Sequence, residues 1–315
     1  MHTSKSRTTE CDALVRVAKA KWDAAINDRP DLEVAVTLQR RLINRSIRLI
    51  RELESLGLPN WTISTDQLCS KLNAGIPILR GENIPLPVDI LTPALLDFCN
   101  ELAQSDAKEA VSHLIEVLQQ HRIDPGSLVA ASLARNQHAI RTTSVHVGLS
   151  PDLVWLVAEL ATVPAAFVLQ QRLFEPSKKS ELNSIHTAMA NWNGKGCPAC
   201  GSWPALAEIR CGHRDLRCSF CGISWSTSIL GCAYCGSHEH GTFETITPDQ
   251  EKSTHRIELC KNCQGYLKSI DVTTTTPGPL IAISDLATTD LDFIATAYGY
   301  ARPNLSLIDG ENSCT

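Results

Sequence analysis

Hydrophobic residues in the first half of the chain recur at helical spacing. Between Asp31 and Leu56, one arc of the predicted helix carries Leu38, Leu42, Leu49, Leu53 and Leu56. The opposite arc carries Arg40, Arg41, Arg45, Arg48 and Arg51. This spacing predicts an amphipathic helix with a basic face. A face of this kind is more often solvated than used for docking, and we interpret it as solvated.

Further helices are predicted where side-chain oxygens can cap free backbone amides. Residues 75–93 contain four prolines and two glycines, so they are predicted to form an extended connection. Beyond it, helices are predicted to begin at Thr92, at Ser105 or Asp106, at Asp124-Pro125 and at Ser150-Pro151. Residues 1–185 are therefore predicted to form a helical domain.

The segment from Leu153 to Leu169 is unusually apolar. It contains seventeen residues and is interrupted by Glu159 and Pro164. A membrane-spanning helix needs roughly 20 apolar residues, and a carboxylate at its centre would cost several kcal/mol in lipid. The sequence therefore predicts a buried central helix and no insertion into a membrane.

Four Cys-x-x-Cys pairs dominate the second half of the chain. They are Cys197/Cys200, Cys218/Cys221, Cys232/Cys235 and Cys260/Cys263. Two thiolates three residues apart on a tight turn can occupy adjacent corners of a tetrahedron around a metal ion, and a second turn completes the site. Glycine follows three of the pairs directly, and Gln264-Gly265 follows the fourth, as expected where the backbone needs a positive φ. The pattern predicts two four-thiolate metal sites.

An internal repeat favours pairing of the turns in sequence order. His213-Arg214 lies five and four residues before Cys218, and His255-Arg256 has the same spacing before Cys260. Each unit is therefore predicted as a Cys-x-x-Cys turn, a short β-hairpin and a second turn. One ion would be held by Cys197, Cys200, Cys218 and Cys221, and the other by Cys232, Cys235, Cys260 and Cys263.

Disulfide bonds are the main structural alternative for these cysteines. They would require an oxidising compartment, whereas residues 1–22 are polar and charged and do not resemble a signal peptide. Metal binding and a cytoplasmic location are therefore expected. The sequence leaves the metal open between iron and zinc, because both accept four thiolates in a tetrahedron.

The remaining chain completes the predicted organisation. After a linker at residues 273–279, a helix is predicted to open over Ser284–Asp292 and to end before Gly299. We predict an α+β multidomain protein with a helical domain at 1–185, metal modules at 186–231 and 232–270, and a linker with a carboxy-terminal helix at 271–315. The sequence leaves a homodimer open.

The cysteine region resembles the formate dehydrogenase accessory protein FdhE family. The match runs from Trp192 to Asn304 and includes the motifs Cys197-Pro198-Ala199-Cys200-Gly201, Gly212-His213-Arg214, Cys232-Ala233-Tyr234-Cys235-Gly236 and Gly265-Tyr266-Leu267-Lys268. The resemblance implies two rubredoxin-like or zinc-ribbon-like modules. It also implies a cytoplasmic accessory protein, not an enzyme, that binds the catalytic subunit of respiratory formate dehydrogenase and is required for its maturation.

The residues themselves favour a role without catalysis. Four thiolates close the coordination shell of an ion, and no phosphate-binding loop, nucleophile elbow or His-Glu-x-x-His motif is present. No catalytic residue is therefore assigned. One alternative is a zinc-ribbon protein that binds nucleic acid, although residues 197–268 contain seven basic and seven acidic side chains and the net charge is −5. A second alternative is a rubredoxin-like electron carrier.

Overall fold

A computed structural model describes residues 3–56, 58–59, 61–174, 179–226, 231–239, 241–248 and 254–303. The chain divides into two compact units. The first unit comprises Met1–Thr62 and Gly81–Gln171, and the second comprises Ile63–Arg80 and Arg172–Thr315. The four-part division at residues 185, 231 and 270 stays a prediction.

Helices dominate the amino-terminal half, as the sequence predicts. Within the described residues the helices are α1 (Thr3–Asp28), α2 (Glu33–Leu56), α3 (Thr65–Asn73), α4 (Val88–Leu102), α5 (Lys108–Gln119), α6 (Pro125–Leu133), α7 (Gln137–His146), α8 (Pro151–Leu173), α9 (Lys179–Ala190), α10 (Ile281–Ala287) and α11 (Thr289–Ala297). The strands are β1 (Pro204–Arg210), β2 (His213–Cys218), β3 (Ser224–Ser226), β4 (Phe243–Ile246), β5 (His255–Cys260) and β6 (Gly265–Asp271).

The interpretation of the basic face of α2 as solvated holds only in part, because four of its five arginines form ion pairs inside the first unit whereas Arg48 is exposed. Arg40 and Arg51 form ion pairs with aspartates of α1, and Arg45 pairs with Asp97 of α4 at 2.7 Å. Arg41 pairs with Glu101 of the same helix at 3.4 Å. Partly exposed ion pairs of this kind contribute little free energy each, but they align α2 with its two neighbours.

Helix α8 coincides with the predicted central helix. It is long and apolar enough to cross a membrane, a test that core helices of water-soluble proteins also pass. Just over half of its most apolar window, 56%, is buried inside the protein. Val154, Val157, Ala161 and Ala165 are among its fully buried residues. The burial agrees with the prediction of a core helix.

Two predicted helix starts differ from the structure for identifiable reasons. Helix α4 begins before the predicted Thr92, because its buried stripe of Leu91, Leu95 and Phe98 extends the helix through Pro93. Helix α5 begins at Lys108, because the Ser105 hydroxyl donates to the Leu102 carbonyl in a turn instead of capping a helix. Tertiary packing and a local turn thus override the capping signals.

The third difference is at the carboxy-terminal end, where one predicted helix is divided into α10 and α11. The buried ammonium of Lys268 donates to the backbone carbonyls of Asp285 and Thr288. A continuous helix would use these carbonyls for its own hydrogen bonds. The predicted end before Gly299 is confirmed, since α11 ends at Ala297.

The described strands form one six-stranded mixed sheet in the order β3-β2-β1-β6-β5-β4. Strand β1 pairs in parallel with β6, and the other neighbours are antiparallel. Three strands of the first cysteine unit are thus continued by three strands of the second. Helix α10 packs on β1 and β6 through Ile281, and α11 packs on β5 and β6 through Leu291 and Ala295. The predicted fold class is confirmed.

Candidate metal centres

Each Cys-x-x-Cys pair lies on a tight turn whose backbone conformation follows from the residue after the second cysteine. Gly201, Gly222 and Gly236 have φ values of 81°, 76° and 75°. Gln264 takes the same left-handed conformation with φ of 54°, so the glycine at 265 is free to begin β6. The positive φ that the sequence predicts is confirmed at the three glycines, whereas at the fourth pair it falls on Gln264 and not on Gly265.

Backbone amides within the turns point at the first sulfur of a pair. The amides of Phe220 and Cys221 both donate to Cys218 Sγ at 3.3 Å, and the amide of Tyr234 donates to Cys232 Sγ at 3.4 Å. Hydrogen bonds to the charged form of a group favour that form. The turns are therefore shaped to hold thiolates.

The structure brings the eight predicted cysteines together in two groups of four. Cys197, Cys200, Cys218 and Cys221 form the first group, and Cys232, Cys235, Cys260 and Cys263 form the second; within each group the sulfurs lie within 4.8 Å of one another. This is the grouping that sequential pairing of the turns predicts. That all eight cysteines ligate metal stays a prediction.

The sulfur–sulfur distances fit a tetrahedral metal ion. In the first group Cys197 Sγ lies 3.6 Å from Cys221 Sγ, and Cys200 Sγ lies 3.5 Å from Cys218 Sγ. The corresponding distances in the second group are 3.6 Å and 3.7 Å. A tetrahedron with metal–sulfur bonds of ~2.3 Å has edges of ~3.8 Å. Both groups could therefore hold an ion with little rearrangement.

The surroundings of the first group require a cation if all four sulfurs are to be ionised. Burial, followed by the neighbouring thiols, raises the pKa of Cys197 and of Cys221 well above the usual value. Burial acts in the same direction on Cys200, but hydrogen bonds from the three other thiols hold the pKa of Cys200 well below the usual value, so the group favours one thiolate among protonated neighbours. Four thiolates in such a place repel one another and lose their hydration. A bound divalent or trivalent ion reverses this effect and deprotonates coordinating thiols. The donor set and its burial thus suit a metal ion.

The two groups differ in their exposure. All four cysteines of the first group are buried. In the second group Cys232 and Cys260 are buried, whereas Cys235 and Cys263 are half-buried. The first group is therefore enclosed by the protein, whereas the second group is partly accessible to solvent.

A buried ion pair that sequence reasoning missed supports the first group. Arg217 Nη1 lies 2.8 Å from Glu208 Oε2, and both side chains are almost fully buried. Arg217 also donates to the backbone carbonyls of Thr276 and Gly222, and the Thr276 amide donates to Glu208. The pair therefore joins β1, β2, the turn after Cys221 and the segment that leads to α10. An Arg directly before a ligand cysteine is the only sequence signal for it.

The repeated arginines make different contacts. Arg214 binds both carboxylate oxygens of Glu258 on β5, with a distance of 2.5 Å for the shorter pair. Arg256 binds both oxygens of Asp271 on β6 at 2.7 Å in a more exposed position. Arg214 therefore connects the first cysteine unit to the second, whereas Arg256 acts within the second unit.

Lys268 is the centre of a second buried polar cluster. Its side chain is fully buried, and its ammonium lies 2.8 Å from Asp285 and 2.7 Å from Asp292. Arg302 pairs with the same two carboxylates, and the Tyr266 hydroxyl donates to Asp292. Burial alone would raise the pKa of Asp292, but hydrogen bonds from Lys268 and Tyr266 hold it below the ordinary value. The cluster fixes α10 and α11 to the sheet.

Comparisons with known proteins give matches in sequence and in structure. A family profile described as "FdhE, C-terminal domain" matches residues 230–308. A protein FdhE homolog from Aquifex aeolicus is 31% identical over 263 residues, which cover 81% of this chain and 81% of the relative. A protein FdhE homolog from Pseudomonas aeruginosa is 36% identical over 124 residues, or 36% of this chain; the match spans only 40% of that relative's length.

A solved structure extends the fold comparison to almost the whole chain. The crystal structure of the FdhE protein from Pseudomonas aeruginosa matches with a TM-score of 0.56 at 22% identity, and the match covers 95% of this chain and 96% of that one. At this identity the likeness concerns the fold alone. The long match to the Aquifex relative supplies the relationship in sequence. On these grounds the chain belongs to the FdhE family.

Proposed function

We propose that this protein is an accessory protein for the maturation of respiratory formate dehydrogenase and that it holds two metal ions. Membership of the FdhE family, supported by the match to the Aquifex relative over 81% of both chains, carries the accessory role. The two tetrahedral groups of sulfurs support the metal binding. In this proposal Cys197, Cys200, Cys218 and Cys221 bind one ion, and Cys232, Cys235, Cys260 and Cys263 bind the other.

The chain contributes the environment of each ion. The turn amides donate hydrogen bonds to the sulfurs, and the sheet holds the two turns of each group at a fixed separation. When bound, the metal supplies a cross-link that these short strands need for stability. Iron and zinc both fit four thiolates.

A binding role is favoured over catalysis. Four sulfurs per ion leave no coordination position for water or substrate, which a hydrolytic metal centre requires. The protein would therefore act by binding, and the partner proposed from the family relationship is the catalytic subunit of formate dehydrogenase in the cytoplasm. A nucleic-acid partner is disfavoured, because the region from 197 to 268 has as many acidic as basic residues.

One observation favours a second candidate function, that of a rubredoxin-like electron carrier. Electron transfer needs a metal close to the surface, and the half-buried Cys235 and Cys263 supply such an edge. This alternative requires iron, since zinc is not redox-active. An electron carrier would also have to be present while formate dehydrogenase catalyses its reaction, and not only while that enzyme is assembled.

Gene deletion separates these functions. In the maturation proposal, a deletion strain loses respiratory formate oxidation and regains it with the wild-type chain but not with the Cys218→Ser variant. Cys69→Ser is the matched control, because Cys69 is a half-buried cysteine of α3 outside both groups. Enzyme purified from the complemented strain should stay active without this protein. Full activity in the deletion strain would contradict the maturation role, and loss of activity in purified enzyme that is restored by adding the protein would favour the electron carrier.

A further inference from the structure

The first turn of the first group is covered by a segment from a distant part of the chain. The amides of Ile78 and Leu79 donate to the carbonyls of Pro198 and Ala199 at 2.9 Å, so residues 77–79 lie along the turn. A Cβ atom built on Gly201 would lie 3.2 Å from the ring of Pro77. The backbone that follows Cys200 is therefore in direct contact with this cover.

The second turn of the first group has a cover of its own. A Cβ atom built on Gly222 would lie only 2.8 Å from the Cα atom of Gly278, in the turn that leads to α10. Arg217 donates to the carbonyls of both Gly222 and Thr276 and so joins the turn to its cover. Both sides of the first group are thus closed by packed backbone.

The second group is covered at only one of its two turns in the part of the chain that the structure describes. Ala301 donates its amide to the Gln264 carbonyl at 2.9 Å and accepts from the Tyr266 amide at 3.3 Å, so it lies along the turn of Cys260 and Cys263. The turn of Cys232 and Cys235 has no comparable contact in the described residues. The position of a Cβ atom on Gly236 has no other atom within 4 Å, although Gly236 has the same φ as Gly201 and Gly222. Around Cys263, the side chains of Lys261, Asn262 and Gln264 are exposed. Asn262 reaches back and donates to Cys235 Sγ at 3.6 Å. Among the described residues, the second group is therefore open at the turn of Cys232 and Cys235, where Cys235 is half-buried.

This difference controls how a competing ligand can reach the metal. A chelator or a small thiol removes a metal ion by contacting it while the protein sulfurs leave one at a time. At an open edge this exchange needs no unfolding, whereas a sealed group must first open locally, at a cost in free energy. Two four-sulfur groups with different cover are therefore expected to exchange metal at different rates.

We infer that the second group is the site at which this protein exchanges metal with small chelating or thiol ligands, while the first group retains its ion. The inference rests on the proposed binding of metal to both groups. In this inference the ion of the first group stabilises the sheet and stays bound. The ion of the second group is the one that exchanges with ligands from solution.

Zinc release from the full-length protein tests this assignment. The protein is loaded with Zn²⁺ alone, and a colorimetric chelator in excess reports the release under anaerobic conditions. We expect two phases of one equivalent each that differ at least about tenfold in rate, because only the slow phase requires local opening. Alkylation of the wild-type protein at the end of the fast phase, followed by peptide mass analysis, should label Cys232, Cys235, Cys260 and Cys263 and leave the first group protected.

A variant outside the ligand set adds a check that does not depend on removing a sulfur. Asn262→Ala should speed the fast phase and leave the slow phase unchanged, because the hydrogen bond that the exposed Asn262 side chain makes within the described residues goes to Cys235 of the second group. Release of both equivalents in one phase, or labelling of the first group before the second, would overturn the inference. Failure to bind any zinc would instead contradict the proposed metal binding itself.

Discussion

Replacing Glu208 with glutamine removes the only carboxylate that pairs with Arg217 in the described residues. Glu208 accepts hydrogen bonds from Arg217 Nη1 at 2.8 Å and from the Thr276 amide at 3.0 Å. Its side chain is only 2% exposed, and that of Arg217 is 3% exposed. The neutral amide of glutamine has nearly the same shape, so the substitution leaves a buried guanidinium without its counter-charge.

The expected loss in the free energy of unfolding follows from this burial. Removing one partner of a buried ion pair costs about 3–5 kcal/mol, because the remaining charge is neither hydrated nor paired. Asp271→Asn is the matched control, because Asp271 also pairs with an arginine across neighbouring strands. The Arg256 and Asp271 side chains of that pair are 31% and 37% exposed. Exposed pairs contribute about 0–1 kcal/mol, so the control should cost much less.

Urea unfolding of the Co²⁺-loaded protein measures how much each of the two substitutions destabilises the sheet. The absorption of cobalt bound to thiolates reports only the region of the cysteines, which avoids interference from the helical unit of the chain. We expect Glu208→Gln to lower the unfolding midpoint several times more than Asp271→Asn does, at an unchanged slope. Equal midpoints for the two variants would refute the view that the Glu208–Arg217 pair holds the first cysteine group together.

Other substitutions test the remaining contacts. Arg214→Ala should cost about 3 kcal/mol and Arg256→Ala less than about 1 kcal/mol by the same urea assay, because only Arg214 pairs with a buried carboxylate; equal costs would contradict this. Gly222→Ala should lower the thermal midpoint more than Gly236→Ala does, since a methyl group meets packed backbone only at Gly222; a larger effect at Gly236 would count against the described cover. The lowered pKa of Asp292 predicts a contribution to stability that is complete above the unfolded value near 4 and is lost as the pH falls through the folded pKa. Asp292→Asn should therefore flatten the acid limb of the stability curve, and an unchanged limb would exclude this contribution.

The sequence predicts the cysteine groups well because their chemistry is local. A Cys-x-x-Cys turn needs only a few residues, and the left-handed residue that follows each pair is visible as glycine in three of the four cases. The repeat of His-Arg before Cys218 and Cys260 then indicates which turns share a hairpin. Sequential pairing follows without any knowledge of long-range contacts.

The sequence does not predict how the two cysteine units join. Their junction is the parallel pairing of β1 with β6, for example between Leu206 and Lys268, and nothing in either segment specifies that partner. The burial of Lys268 follows from the same junction together with the docking of α10 and α11. A lysine that would be expected at the surface from its sequence neighbours is thus placed in the core by tertiary structure.

Differences between predicted and observed helices have the same origin. The start of α4 depends on apolar side chains that pack against other helices of the first unit, and the break between α10 and α11 depends on Lys268. The exposure of the second cysteine group likewise depends on segments that are far away in sequence, since Pro77 and Gly278 cover only the first group. Such contacts have no local signal.

The measurement that tests the central claim most directly is native mass spectrometry of protein purified without oxygen. The account predicts a mass equal to the chain plus two ions of iron or zinc, with the protons of the coordinating thiols displaced. It also predicts that a Cys218→Ser variant retains one ion and that Cys69→Ser retains two. A wild-type mass that corresponds to no more than one ion, or to a metal-free chain with disulfides among the eight cysteines, would contradict the assignment of two four-cysteine metal centres.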